Sequence, residues 1–343
     1  MIGNRLKLKR QADRLSLQDL ADLLSEYGVS TTKAVLSNYE IGRVEPNREM
    51  TTVLCQALGI SEKFLHHEDS NVKLHYFTQI GFVPKRQVEL DCYIACHMER
   101  RIDIDKVLQD TCTWQKPERK IIASKENLCQ IPAFAEQVRK RWGLNDQPIS
   151  SVTFVLEQQG WDIFELPESF GLSGVCGYEA GSGIPFVYYP TKAGLVNVRM
   201  QILCLVATAY MDIQDPKLKK DACNKFARAI LLTQEQAIHE FGPTRKGIAR
   251  EELEFCKHHY GLPKYEIMGR LQELGIIQEQ MYRNYMSRIR QLGYPSARDS
   301  MAEPLFFYEN STLYKKKLHY AVAEGLLAES ELDSVQTGSG THR

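Results

Sequence analysis

Residues 32–42 decide the fold expected for the first part of this chain: Thr32-Lys33-Ala34-Val35-Leu36-Ser37-Asn38-Tyr39-Glu40-Ile41-Gly42. In a short helix, Val35, Leu36 and Tyr39 fall on one face and form its apolar, inward side. The outward side then carries small, polar and cationic groups, which are Lys33, Ala34, Ser37 and Asn38. Side chains of this kind on an exposed helix fit the major groove of DNA. The stretch therefore predicts a DNA-reading helix.

Four further short helices are predicted around this stretch, in the segment from residue 2 to about residue 66. Two of them repeat apolar residues at helical spacing, from Leu17 to Leu24 and from Met50 to Ala57. The first helix, over about residues 2–14, carries basic side chains. Residues that favour helix starts and ends stand between the helices: Ser16, Gly28, Thr32, Gly42, Pro46 and Ser61.

This order of helices resembles the Cro/repressor-type (XRE family) helix-turn-helix domain, whose five-helix fold is that of lambda repressor. The resemblance covers residues 1–68 and rests on Leu-Ser-Leu-Gln-Asp-Leu-Ala at 15–21 and Asn-Tyr-Glu-Ile-Gly-Arg at 38–43. It implies that Lys33, Ala34 and Asn38 face base edges, with Thr32 and Ser37 beside them. The residues that it implies near phosphates are Ser16, Gln18, Arg43, Asn47 and Arg48. Arg10 and Glu40 match a buried ion pair of this family.

A single module of this size buries little surface, so a homodimer on a two-fold repeated double-stranded DNA operator is expected. A helical protein-interaction module is the alternative interpretation. Its support is charge, because residues 1–68 hold nine Lys and Arg against nine Asp and Glu. Such a balance produces no strong basic field for phosphate.

Length and composition predict more than this one domain. A chain of 343 residues with 43% hydrophobic content permits two or more domains and a sizeable core. The formal net charge is zero, which argues against a basic nucleic-acid coat or a membrane-surface protein. No run of 18 apolar residues is present, and the N-terminus enters the first helix directly. We expect a soluble, cytoplasmic protein without a membrane partner.

Nine cysteines are scattered along the chain, and their odd number indicates free thiols. Cys92, Cys96 and His97 form a C-x3-C-H cluster that suggests a metal site. Helical periodicity places the two cysteines on one face, which favours core packing instead. A redox-sensing thiol is not excluded by the sequence.

The predicted organisation continues with a linker over residues 69–130, which contains a connector over 69–85 and a helix over 86–110. A large domain spans residues 131–335, and the tail 336–343 is expected to be disordered. Within the large domain, strands are predicted at 161–166, 175–178 and 184–189, between helices. The predicted helices cover 131–143, 149–159, 195–212, 217–234, 251–260 and 265–274. The fold class is therefore α+β, mainly α, with a small β-sheet.

The large domain resembles the ImmA/IrrE family of zincin-like metallopeptidase domains over roughly residues 130–290. The match runs through Val138–Leu144, Val155–Trp161, Arg199–Met211 and Ala222–Leu232, and continues in the later helices. Members are often fused to an N-terminal helix-turn-helix. The resemblance rests on the order of motifs more than on identity.

This chain departs from that family at the catalytic positions. Peptidases of the family carry H-E-x-x-H, in which two His bind zinc and Glu activates water. In the register set by Arg199, these three positions hold Cys204, Leu205 and Thr208. The third ligand position falls on Lys220, a cation in place of an anion. The sequence thus predicts a pseudo-peptidase without a metal, a cofactor or enzyme activity.

Together these features predict a transcriptional regulator, and a repressor in particular. The large domain would serve as a scaffold, dimeriser or sensor for a small-molecule or protein effector. Two alternatives stay open. One is an active zinc endopeptidase that cleaves a repressor, and the other is an antitoxin-like or phage-derived control protein that acts by binding a partner.

Overall fold

A computed structural model describes most of the chain, with short gaps. The described residues are 2–60, 62–66, 72–80, 86–112, 114, 116–117, 120–190, 194–291, 308–329 and 332. Within them, the protein is mainly α-helical with a small mixed sheet. The predicted Ser61 cap and the predicted disordered tail lie outside the described residues.

The five helices predicted at the N-terminus are present. They are α1 (Ile2–Ala12), α2 (Leu17–Glu26), α3 (Lys33–Glu40), α4 (Arg48–Leu58) and α5 (Glu62–His66). Ser16 caps α2 as predicted, since its hydroxyl accepts a hydrogen bond from the Asp19 amide while the Asp19 carboxylate accepts one from the Ser16 amide. Apolar side chains of α1, α2, α3 and α4 meet in one cluster around Leu6, Leu24 and Leu54.

The remainder of the described chain forms helices around two small sheets. Its strands are β1 (Leu74–Ile80), β2 (Ile121–Ala123), β3 (Asp162–Leu166), β4 (Gly174–Glu179), β5 (Pro185–Pro190) and β6 (Met211–Ile213). Its first helices are α6 (Gln87–Leu108), α7 (Ile131–Arg141), α8 (Val152–Gln158), α9 (Leu195–Tyr210) and α10 (Lys219–Leu231). The later helices are α11 (Gln234–Phe241), α12 (Arg250–Tyr260), α13 (Lys264–Glu273), α14 (Glu279–Gln291) and α15 (Leu313–Ala323). None of the helices in these ranges is long and apolar enough to cross a membrane.

The larger sheet has the strand order β1-β4-β5-β3. β4 pairs antiparallel with both β1 and β5, and β3 runs parallel to β5. The expectation of a plain connector over 69–85 is therefore wrong at residues 74–80. β1 pairs with residues 174–179, a hundred positions away, and local sequence carries no signal for so distant a partner. β2 and β6 form a separate parallel pair.

Helix α6 is buried on two sides, which its mixed composition did not predict. Leu90, Ile94 and Met98 pack against the larger sheet. Cys96 packs into the N-terminal helical cluster on the other side. The helix therefore stands between the two parts of the fold and shares its apolar surface with both.

Ion pairs fix α6 to both neighbours. The Arg5 guanidinium of α1 contacts the Glu99 carboxylate of α6 at 2.6 and 2.7 Å, and both groups are almost fully buried. On the sheet side, Nε of Arg101 in α6 donates to Oδ1 of Asp162 in β3 at 3.0 Å. A third contact joins Arg14, just after α1, to Glu89 of α6 at 3.1 Å.

Helix α9 is the centre of the larger core, as its nearly charge-free sequence predicts. It packs between the larger sheet and α10, and twelve of its sixteen residues are buried. Its single charged residue, Arg199, is fully buried too. Arg199 donates to the backbone carbonyl of Ile149 at 2.7 Å and contacts the Glu309 carboxylate at 2.7 Å.

The C-terminal segment closes on α8 through two carboxylates. Glu309 accepts hydrogen bonds from the amides of Val152 and Thr153 at the start of α8, at 2.9 and 2.8 Å. Glu157 of α8 in turn accepts from the amides of Thr312 and Leu313 at the start of α15, at 2.8 and 3.1 Å. Each carboxylate satisfies helix-start amides that otherwise lack a partner.

Replacing Glu309 with alanine should strongly destabilise the fold. The change leaves the buried Arg199 guanidinium without its carboxylate and two helix-start amides without an acceptor, so a loss of about 3–5 kcal/mol in the free energy of unfolding is expected. Chemical denaturation measures it. The matched control is Glu324→Ala at an exposed position after α15, with an expected change within about 0.5 kcal/mol. Equal effects of the two variants would contradict this account of the C-terminal segment.

Candidate functional site

Helix α3 is held against α1 from its inner side. The Arg10 guanidinium donates to both carboxylate oxygens of Glu40, from Nε at 2.5 Å and from Nη2 at 2.9 Å. The same arginine donates to the Leu15 carbonyl at 2.7 Å. Gly3 of α1 contacts the last turn of α3 so closely that a Cβ there would lie 2.1 Å from the Tyr39 carbonyl oxygen. The Arg10–Glu40 pair implied by the sequence resemblance is present.

The connection from α2 to α3 is longer than is usual for a helix-turn-helix. Residues 27–32 lie between the two helices, whereas a turn of three or four residues is typical. Gly28 adopts a left-handed φ of 82°, which directs the chain out of α2. Thr32 caps α3 by accepting from the Val35 amide at 3.4 Å. The orientation of α3 therefore depends on its packing against α1 and α2 rather than on a tight turn.

The outward face of α3 agrees only in part with the prediction. Lys33 and Ala34 are exposed, while Ser37 and Asn38 are half-buried. The placement of Val35 on the inner face is wrong, because this side chain is 38% exposed. Leu36 and Glu40 are the residues of α3 that are fully buried, and the Glu40 carboxylate with its arginine takes the inner position that an apolar residue would fill.

Most residues expected near phosphates have a local structural role. Ser16 and Asn47 are the caps of α2 and α4, and Asn47 Oδ1 accepts from the Met50 amide at 2.8 Å. Gln18 donates to the Asp22 carboxylate at 2.9 Å. Arg43 and Arg48 are exposed beyond the end of α3, and in the described part of the chain neither forms an ion pair. These two arginines are exposed cations that a phosphate could contact.

The three residues that the sequence resemblance places at the zinc-ligand and base positions, Cys204, Leu205 and Thr208, lie together on α9 but in different surroundings. The Cys204 thiol is half-buried and donates to Asn224 Oδ1 of α10 at 3.3 Å. Burial raises the pKa of this thiol well above its usual value, and the nearby Cys223 and Glu266 raise it further. Zinc binds the thiolate, so a metal at this position would have to displace the thiol proton.

Packing fills the position at which the sequence resemblance would place a catalytic base. Leu205 is fully buried and touches Gly174 of β4, where a Cβ would lie 2.6 Å from Leu205 Cδ1. The Thr208 hydroxyl donates to the Leu205 carbonyl at 2.6 Å, within its own helix. Leu205 has no polar side-chain atom that could activate water, and the Thr208 hydroxyl is hydrogen-bonded within its own helix.

The carboxylates near Cys204 are engaged by arginine and lysine. Glu266 of α13 contacts Arg228 of α10 at 3.2 Å and accepts from Asn224 at 3.3 Å. Glu273 contacts Arg228 at 3.2 Å and Lys225 at 2.9 Å. Lys220, at the third ligand position, is exposed and lowers the pKa of Cys204 electrostatically.

These residues do not fit a zinc ion. Across the described ranges, no three His, Cys, Asp or Glu side chains are grouped so that they could hold a metal. In addition, β1 pairs along β4, so both edges of β4 are occupied by neighbouring strands of this chain.

Sequence reasoning missed the network of Asn224, Arg228 and Glu266. Gly269, in the middle of α13, was the available signal, because helix interiors disfavour glycine. A Cβ at Gly269 would lie 1.9 Å from Nη1 of Arg228, so glycine makes room for the buried guanidinium.

The C-x3-C-H cluster is divided between two cores. Cys92 and Cys96 face the N-terminal helices, and Cys92 lies 3.5 Å from Gln11 Oε1. His97 points to the opposite side, among the rings of Tyr93, Phe164 and Tyr188. Burial lowers the pKa of His97 to about 3. The prediction of core packing is confirmed, and the three side chains do not share a metal site.

Comparison with known proteins adds no relative. No protein-family model, no curated protein and no solved structure matches this chain. The candidate sites are therefore interpreted from their own chemistry.

Cys204 should react slowly with iodoacetamide, compared with the exposed Cys129. The thiolate is the reactive form, so a raised pKa keeps the Cys204 rate low and lets it climb about tenfold per unit across roughly pH 7–9. Peptide mass spectrometry follows both sites in one sample. Fast alkylation of Cys204 at neutral pH, or alkylation that needs a chelator first, would contradict a neutral, metal-free thiol.

Proposed function

We propose that this protein is a sequence-specific regulator that binds double-stranded DNA through α3. The observation that carries the proposal is the braced helix itself, with Lys33 and Ala34 exposed at its start and the Arg10–Glu40 pair behind it. A reading helix needs an exposed polar face and a rigid support, because base contacts depend on accurate placement.

The exposed residues suggest which side chains would contact bases and which would contact phosphates. Lys33 suits guanine acceptors, Asn38 suits adenine, and the methyl groups of Ala34 and Val35 suit the thymine methyl. Arg43 and Arg48 would contact phosphates and fix the register. The balanced charge of this region limits non-specific attraction, so affinity would depend on correct base contacts and on two modules acting as a homodimer.

The larger part of the chain would act as a non-catalytic body of the regulator. Its support is the site chemistry: Leu205 replaces the base, and the neighbouring carboxylates are paired with arginine and lysine. The buried Arg5–Glu99 pair joins α1 to α6, which also packs on the sheet. The N-terminal helices are therefore not attached by a flexible linker. A conformational change in the larger part of the chain would alter the orientation of α3 within a dimer.

Selection of bound fragments from random double-stranded DNA tests the proposal. A shared, two-fold repeated motif is the expected outcome. Recovery of unrelated sequences would contradict sequence-specific binding and favour the partner-binding alternative.

Lys33→Ala and Asn38→Ala should each cost about 1–3 kcal/mol of binding free energy on the selected site and relax preference at one base position. Titration against the selected site and single-base variants of it measures both effects. Lys106→Ala, which removes an exposed lysine of α6, is the matched control and should leave binding unchanged.

Arg43→Ala should weaken specific and random DNA alike. A phosphate contact carries no sequence information, so the loss should be uniform and the dependence of affinity on salt should become shallower by about one unit of slope. If Lys33, Asn38 and Arg43 variants all lose affinity equally on every sequence, α3 reads no bases.

A further inference from the structure

Three lysines contact neighbouring residues of β1 and β4 in the larger sheet, one of them from the start of α10. The Lys219 ammonium of α10 donates to the Thr78 hydroxyl of β1. The Lys120 ammonium lies 5.0 Å from the ring centre of Phe77, the preceding residue of β1. The Lys116 ammonium lies 5.0 Å from the ring centre of Tyr178 on β4. We call Lys116, Lys120 and Lys219 the lysine cluster.

The cluster has little acidic compensation. In the described residues, none of its three ammonium groups forms an ion pair with a carboxylate. Burial lowers the pKa of Lys120, and the nearby charge of Lys116 lowers it further, while Asp212 opposes the shift. Like charges held close together raise each other's free energy, and a bound anion would relieve this cost.

Aromatic rings form a floor beneath two of these ammonium groups, those of Lys116 and Lys120. The ring centres of Phe77 and Tyr178 lie 5.4 Å apart, and the indole of Trp114 lies 6.2 Å from Tyr178. All three rings are partly exposed. His75 stacks on Tyr178 with its ring centre at 5.1 Å. A flat, partly apolar surface thus lies beside the positive charge.

We propose that the lysine cluster is a binding site for a small phosphate-bearing ligand. Lysine binds phosphate as a compact point charge, whereas planar carboxylates favour the fork of arginine, and no arginine takes part in the three contacts described. A structural role as a cation over a ring would account for Lys116 and Lys120 but not for Lys219, which contacts the Thr78 hydroxyl instead. The proposal does not depend on DNA binding by α3.

The exposed rings would distinguish two kinds of phosphate-bearing ligand, an inorganic phosphate and a nucleotide. Inorganic pyrophosphate offers the phosphate charge alone, and ADP adds a planar base that could stack on the exposed rings. Adenosine offers the base without charge. Binding of pyrophosphate and ADP but not of adenosine is expected, and tighter binding of ADP would assign the rings a stacking role.

Tryptophan fluorescence of the full-length protein provides the readout. The three tryptophans of the chain are Trp114, Trp142 and Trp161. Trp114 lies at the cluster and packs edge-to-face on Trp161, with ring centres 5.5 Å apart. Isothermal calorimetry gives an independent affinity, and raising the salt concentration should weaken binding of either phosphate ligand.

Lys120→Gln and Lys116→Gln should each raise the Kd for pyrophosphate about tenfold, because each removes one charged contact. Lys120→Arg keeps the charge and should retain most of the affinity. Lys125→Gln is the matched control: it removes an exposed charge just after β2 and should leave the Kd unchanged. Circular dichroism verifies that every variant is folded.

The proposal is overturned by any of three results. One is no binding of pyrophosphate or ADP by the wild-type chain. Another is an equal Kd for wild type, Lys120→Gln and Lys125→Gln, which would indicate non-specific attraction. The last is adenosine binding as tightly as ADP, which would assign the site to the rings alone.

Discussion

Helix α6 is the element on which the rest of the structure depends, because two cores and two buried ion pairs share it. Its acid Glu99 fixes Arg5 of α1, and its base Arg101 fixes Asp162 of β3. A buried charge without a partner is costly, so each pair strongly disfavours separation of its two elements. The N-terminal helices are consequently joined to the sheet through this helix, and Arg14 adds a direct contact with Ser169 and Phe170 after β3. Coupling between the proposed DNA-reading face and the rest of the chain would pass mainly through α6.

Local sequence was sufficient where the structure itself is local. The caps at Ser16 and Thr32 and the apolar spacing of α2 and α4 predicted the N-terminal helices, since caps and periodicity act within a few residues. Val35 was misplaced because a buried ion pair, Arg10–Glu40, occupies part of the inner face of α3. Strand β1 was missed because its stability comes from pairing with β4, far along the chain.

At the candidate sites, too, the sequence could not predict contacts between distant segments. The family resemblance predicted that Cys204, Leu205 and Thr208 stand at substituted catalytic positions, and in the structure the Cys204 thiol bonds Asn224 while the Thr208 hydroxyl bonds its own helix. What surrounds them depends on tertiary packing: Asn224 holds the thiol, Gly174 receives Leu205, and Gly269 admits Arg228. The lysine cluster likewise joins three segments that periodicity cannot bring together.

The paired carboxylates Glu309 and Glu157 have a consequence for how the molecule opens. Glu309 of the C-terminal segment caps the start of α8, and Glu157 of α8 caps the start of α15. The two segments therefore stabilise each other. Neither can fray alone, because loss of one removes the acceptor that the other requires. The two should therefore open together as one cooperative unit and exchange their amide hydrogens in step, although more than 150 residues separate their starts.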